Sequence, residues 1–277
     1  MKYLVYVNIL AIILSTNFSI MAGDKDDIRL IVRADDMGFS RAANLACIKG
    51  YKEGIITTVE VIVPGPWFLD AAKLLRDNPG LDAGVHLALT SEWVNYKWGP
   101  VTNAQSLVTE DMYFYDRTEK VAELELDPVE VEAELRAQIE LAVKHIPQVS
   151  HISDHMNVAE SHPAIKKIVK KLSREYKLPL FPEGKPEAFE MWSVPPEEKE
   201  DSLAEYLDSL KPGIWEIICH PALNNEETRG IEGSVYDEDS RMAIYREALT
   251  NALISQRIKD IIKQLNIRLV SYSDTYK

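Results

Sequence analysis

Two adjacent carboxylates, Asp35 and Asp36, close an apolar run in IRLIVRADDMGFS, Ile28 to Ser40. Further along, GVHLALT carries His86, SHISDHMN carries His151, Asp154 and His155, and EIICHPA carries His220. Of the six histidines in the chain, only His145 and His162 fall clearly in helical patterns. Carboxylates and imidazoles bind divalent cations and move protons near neutral pH. One carboxylate and two imidazoles brought together from three strand ends would form an N,N,O set, with positions left open for water and substrate. Each piece also has a plainer reading. A pair of aspartates before a helix can cap it, and a strand histidine can simply pack. The His151–His155 spacing resembles a helical metal pair, yet the segment leaves a strand. Occurring together at strand ends, the pieces point to a metal site more than any one of them does alone.

The elements that must position these groups alternate between strand and helix. Ile28–Ala34 reads as strand and Arg41–Glu53 as a helix ended by Gly54. TTVEVIV (Thr57–Val63) is a second strand, followed by a helix through Leu75, and Asp82–Leu89 is a third strand. Asp127 and Pro128 read as N-cap and first-turn proline of a helix whose buried stripe is Val131, Leu135, Ile139, Ala142 and Ile146. Val149–Ile152, Leu178–Phe181, Ile214–Cys219 and Ile267–Val270 complete seven strands. Helices are expected at Pro163–Tyr176, at Glu197–Leu210 and, as one long element, from about Asp239 to Leu265. Strands separated by helices imply a parallel sheet covered on its faces. The expected fold is α/β, a single-domain β/α barrel of about seven parallel strands, TIM-like and either closed or incomplete; an open doubly wound sheet is the competitor. In such folds the carboxyl ends of the strands form the ligand-binding rim. The singled-out aspartates and histidines all fall there, and a turn at Gly38 would let both Asp35 and Asp36 reach one site.

The formal net charge is −13. An acidic chain without a Lys/Arg stripe is a poor match for phosphate backbones, so no nucleic-acid partner is expected. Lys2 precedes the apolar run YLVYVNILAIILS, and small and polar residues follow. This pattern predicts a secretory signal over residues 1–22 and a single domain over 23–277, secreted or periplasmic, with no stable membrane span after processing. Cys47 and Cys219 are the only cysteines, so no disulfide framework or cysteine-based zinc site is expected.

ADDMGFS, GIITTVEVIVPGPW, GVHLALT, HISDH and EIICHPA, in that order, resemble the YdjC-type (ChbG/HpnK-like) carbohydrate deacetylases from about Ile28 to Tyr272. The resemblance implies a β/α-barrel enzyme that removes acetyl groups from N-acetylated sugars using one bound divalent metal, Zn²⁺ or Mg²⁺. Carried over by motif, Asp36, His86 and His155 would hold the metal, Asp35 would be the base and His220 the general acid. The chain departs from the pattern HxDSHxHxH: Ser153-Asp154 inverts the usual Asp-Ser pair, and Asn157 stands where a further histidine is common.

The implied activity is hydrolysis of an acetamide on an amino sugar or oligosaccharide. An amide carbonyl is a weak electrophile, so its hydrolysis needs an activated water, a stabilised oxyanion and a proton for the departing amine. Trp93, Tyr96 and Trp98, in LTSEWVNYKWGPV, would be either a carbohydrate-binding lid or a loop packed by its own aromatics. Arg229 could reach a sugar but is expected to face solvent. Two other functions compete: a barrel glycosidase using Glu60 and Glu216 as its carboxylate pair, and a catalytically impaired carbohydrate-binding protein.

Overall fold

The computed structural model describes residues 27–180, 188–233 and 242–275. Seven parallel strands form one sheet: β1 (Ile28–Met37), β2 (Thr58–Val61), β3 (Asp82–Leu87), β4 (Val149–Asp154), β5 (Phe189–Glu190), β6 (Gly213–Cys219) and β7 (Arg268–Leu269). Their order is β4-β3-β2-β1-β6-β5, and β7 pairs with the first half of β1. Helices between the strands cover the outer face, so the expected parallel α/β fold with seven strands is present.

Side-chain alternation along β1 sorts the interior into two environments. Leu30, Val32 and Ala34 belong to the main apolar core shared with the surrounding helices. Ile31, on the other face, joins a separate small cluster with Val270, Tyr272 and Ile214. Above that cluster, the same face carries Arg33 and then Asp35. Apolar packing therefore closes one end of the interior, while the polar groups climb toward the carboxyl ends of the strands.

Local chemistry explains the helix boundaries. Ser40 caps Arg41–Glu53 by accepting from the Ala43 amide, and Asp127 caps Pro128–His145 by accepting from Val129, each satisfying an otherwise orphaned donor. All five residues of the stripe from Val131 to Ile146 are buried. Two expectations need correction. Of the strand expected at Leu178–Phe181, the described residues Leu178–Leu180 form one bridge, Leu180 to Ile152, Phe181 lies outside the described residues, and β5 forms further along at Phe189–Glu190. The long helix expected from about Asp239 to Leu265 is two helices, Met242–Ile254 and Gln256–Gln264, because Ser255 takes an extended ψ of 137°. Ser255 also turns its hydroxyl to Glu200. The signal segment, residues 1–22, lies outside the described residues. No described helix is long and apolar enough to cross a membrane, and Cys47 and Cys219 are buried free thiols.

Candidate active site

The opening aspartates owe their placement to a break in the β1–β2 ladder. Ala34 pairs with Val59, but Met37 pairs with Val61, so β1 carries an extra residue here. The bulge lets two consecutive side chains leave the strict alternation of a strand. Asp36 takes a positive φ of 67°, a conformation that Asp tolerates better than most side chains. Gly38 does the rest: at φ 98° a Cβ would lie 2.6 Å from the Ile62 carbonyl oxygen, and its amide donates to Asn44 Oδ1 at 2.7 Å. The turn expected at Gly38 is real, and the bulge one step earlier is what aims Asp36.

Asp36, His86 and His155 converge. One ligand atom from each lies within 4.8 Å of the others, and all three residues are buried. Asp36 Oδ1 is 3.2 Å from His155 Nδ1 and 3.7 Å from His86 Nε2. That oxygen is buried and accepts no hydrogen bond. A buried carboxylate oxygen without a hydrogen bond, facing two imidazole nitrogens, is costly unless positive charge, a bound cation or a protonated ring, sits among them. The donor set thus fits a divalent metal on its own chemistry.

Asp35 lies beside this set without belonging to it. Arg33 holds it in a fork, Nε to Oδ1 at 2.5 Å and Nη2 to Oδ2 at 2.7 Å, and its Oδ2 is 3.7 Å from His86 Nε2. Burial pushes the Asp35 carboxyl well above the usual range, and nearby Glu60 and Asp36 reinforce that against Arg33. His220 follows β6 and shares the cleft wall with Asp35, Asp36, His86 and His155. Burial brings its pKa down to about 4 despite the attraction of Asp36, and its Nδ1 has no hydrogen-bond partner. The cleft extends over about 1320 Å³, ample for more than one sugar ring.

Two residues join the site that motif reading did not single out. Glu92 Oε2 lies 3.0 Å from His155 Nε2, on the far side of the ring from Asp36. Arg246, from the helix Met242–Ile254, donates Nη2 to Asp36 Oδ2 at 3.1 Å and lies over the Phe39 and Trp93 rings. Both come from segments without a recognisable motif, and only tertiary packing brings them in. The irregular stretch after β3 delivers Glu92. It is pinned by Gln138, which bonds both backbone groups of Ala88, and by Glu134, which accepts from Val101 and Thr102.

The aromatic lid does not form as such. Trp93 and Trp98 are buried around Phe39, at ring-centroid distances of 5.7 and 6.1 Å, and Tyr96 donates its hydroxyl to the Phe39 carbonyl. Of the three, only Trp93 lines the cleft. The exposed aromatic on the cleft wall is Trp192. Arg229 is exposed, as expected. Glu60 and Glu216 do not line the cleft: Glu60 is engaged by His151 and Ser153, and Glu216 by the Tyr272 hydroxyl. The glycosidase reading loses its carboxylate pair. His151 likewise faces Glu60 and Ser150 rather than the cleft.

The model of the family described as YdjC-like protein matches residues 29–264. The chain belongs to the YdjC-like family. Among relatives of this chain, carbohydrate deacetylase 2 of Listeria innocua is 28% identical over 257 residues, covering 90% of this chain and 100% of that protein. The carbohydrate deacetylase of Thermus thermophilus is 33% identical over 229 residues, covering 73% of this chain and 80% of its own length. A solved structure from Enterococcus faecalis, described as a putative cellobiose-phosphate cleavage protein, superposes with a TM-score of 0.71 at 25% identity, covering 90% of this chain and 98% of that one.

Proposed function

We infer that this YdjC-like chain is a metal-dependent carbohydrate deacetylase that hydrolyses the acetamide of an N-acetylated amino sugar or oligosaccharide. The observation that carries this reading is the convergence of Asp36, His86 and His155 around an unbonded carboxylate oxygen at the floor of a large cleft. The relatives named carbohydrate deacetylases support the reaction class.

Asp36 Oδ1, His86 Nε2 and His155 Nδ1 would hold one divalent cation. Two nitrogen donors favour Zn²⁺ or a similar transition ion, and Mg²⁺ is the alternative. A cation in that position lowers the pKa of a water and polarises an amide carbonyl. Asp35, kept in place by the Arg33 fork, is positioned to accept the water's proton. His220 serves the departing amine, which must leave protonated. Arg246 neutralises the outer oxygen of Asp36 and holds it in orientation, and the burial of these groups strengthens every charge interaction among them.

The test is acetate release from a panel of N-acetylated mono- and oligosaccharides, before and after chelation, with Zn²⁺ or Mg²⁺ added back. Chelator-sensitive release restored by one of the ions is expected. Sugar binding without acetate release under any ion would identify an impaired binding protein instead. Lys2 and the apolar run after it support export to the periplasm or beyond. Mass spectrometry of protein from its native host should then find residues up to about Ala22 removed; an intact N-terminus in a soluble cytoplasmic fraction would refute export.

A further inference from the structure

Beneath the candidate ligands lies a buried polar layer outside the ligand set. Glu60 on β2 pairs in register with Gly84 on β3, which pairs with His151 on β4. A Cβ on Gly84 would stand 2.1 Å from Glu60 Oε2 and 2.4 Å from His151 Nε2. The missing side chain leaves the gap across which Glu60 Oε1 and His151 Nε2 meet at 2.6 Å. Two residues further along, His86 and Ser153 are register partners, and His86 Nδ1 is 2.8 Å from Ser153 Oγ. Ser153 Oγ in turn donates to Glu60 Oε2. His86, Ser153 and Glu60 are all buried.

Proton counting orders this chain. Burial works against the Glu60 charge, but His151 and Arg33 outweigh it and hold the carboxyl at about 2. An ionised carboxylate only accepts hydrogen bonds, and a serine hydroxyl has a single hydrogen to give. Ser153 spends that hydrogen on Glu60 and can only accept from His86. The His86 Nδ1 must then carry a hydrogen, which leaves the lone pair of the neutral ring on Nε2, the nitrogen facing Asp36 Oδ1. We propose that Ser153 and Glu60 are positioning residues that lock His86 in its Nδ1–H tautomer and present Nε2 to the cation.

Position 153, in register with His86, holds a hydroxyl, and the negative charge is supplied one hydrogen bond further out by Glu60. Hydrogen-bonded partners of this kind set the orientation and basicity of a metal-bound imidazole.

The inference rests on the metal reading of Asp36, His86 and His155, and its test separates the two. In the metal-free wild-type protein, ¹⁵N–¹H NMR of the imidazoles should show His86 as the Nδ1–H tautomer. Zn²⁺ affinity, measured by competition with a chromophoric chelator, should fall roughly 10–100-fold in Ser153→Ala. Ser153→Thr, which keeps the hydroxyl, should stay near wild type, and this rescue excludes a general loss of folding. An Nε2–H tautomer in the wild type, or Ser153→Ala binding Zn²⁺ within about twofold of it, would overturn the proposal. A wild-type chain that takes up neither Zn²⁺ nor Mg²⁺ would overturn the metal reading, and the tautomer would still decide whether Ser153 and Glu60 order the ring.

Discussion

Asp35 and Asp36 are neighbours in sequence with opposite surroundings. Asp36 faces two imidazoles and Arg246, whereas Asp35 is gripped by Arg33. Their amide variants should therefore part company. Asp36→Asn should lose metal and activity together, because an amide oxygen is a poor substitute for a carboxylate on a divalent cation. Asp35→Asn should keep the metal and lose roughly 10²–10⁴-fold in kcat, the usual worth of a general base. His220 poses a different question. With a pKa drawn down to about 4, it is neutral at physiological pH, so as an acid it must receive its proton during turnover. His220→Ala should keep the metal and should hurt acetamides far more than activated esters, whose leaving groups need no proton. Metal content and both rates, measured on the three variants, separate ligand, base and acid. Near wild-type turnover by metal-loaded Asp35→Asn would leave Asp35 with only its ion pair to Arg33. The convergence of Asp36, His86 and His155 was legible in the sequence because each sits in a short motif at a strand end. Glu92 and Arg246 were not, because nothing local marks a glutamate in an irregular stretch or an arginine on a helix as a partner of His155 or Asp36.

Among the elements, those with strong local signals were legible to within a residue or two. The helix Arg41–Glu53 begins at a serine cap and ends at Gly54, and Pro163–Tyr176 begins at a proline with a histidine cap. The failures have one physical cause: long-range pairing decided what local pattern could not. Leu178–Leu180 is apolar enough for a strand but finds a single parallel bridge, while Phe189–Glu190 pairs with β6 and stacks Phe189 on Tyr206 at 4.3 Å. Ser255 is only a weak N-cap signal inside a helical run, and its hydroxyl turns to Glu200 instead of capping the second helix. The β1 bulge is the element that matters most for function, and it is invisible to periodicity. The run IRLIVRADD keeps strand character throughout, and only the pairing register against Val59 and Val61 reveals the extra residue. The aromatic stretch after β3 left two readings open, lid or packed loop, because aromatic side chains serve both recognition and packing, and Trp93 and Trp98 pack around Phe39.

For the whole molecule, the site is a concentration of charge that an already acidic chain, at −13, supports only with compensation. Without a cation, His155 supplies part of it. Its ring lies between Asp36 and Glu92 at 3.2 and 3.0 Å. Burial opposes its charge, but Glu92 and Asp36 outweigh burial and raise its pKa to about 10. His86 and His220 behave in the opposite way: burial pushes His86 well below the ordinary imidazole value and His220 to about 4. The signs follow from linkage. The folded-state pKa of His155 is raised, so its contribution to stability is complete below about 6.5, the unfolded value, and is lost as pH rises through about 10. Those of His86 and His220 are depressed, so their contributions are present above about 6.5 and are lost on acidification, for His220 through about 4. The metal-free protein should therefore be most stable between these limits, and a cation must compete with the proton on His155. At about pH 8, between the ordinary imidazole value and the raised one, uptake of one Zn²⁺ should release close to one proton. The apparent affinity should climb about tenfold per pH unit until the His155 titration is complete. Calorimetric titration in two buffers of different ionisation enthalpy reads the proton count directly. A count near zero at that pH, with Zn²⁺ bound, would show that His155 holds no proton for the cation to displace, and would remove the charge compensation argued here for the metal-free site.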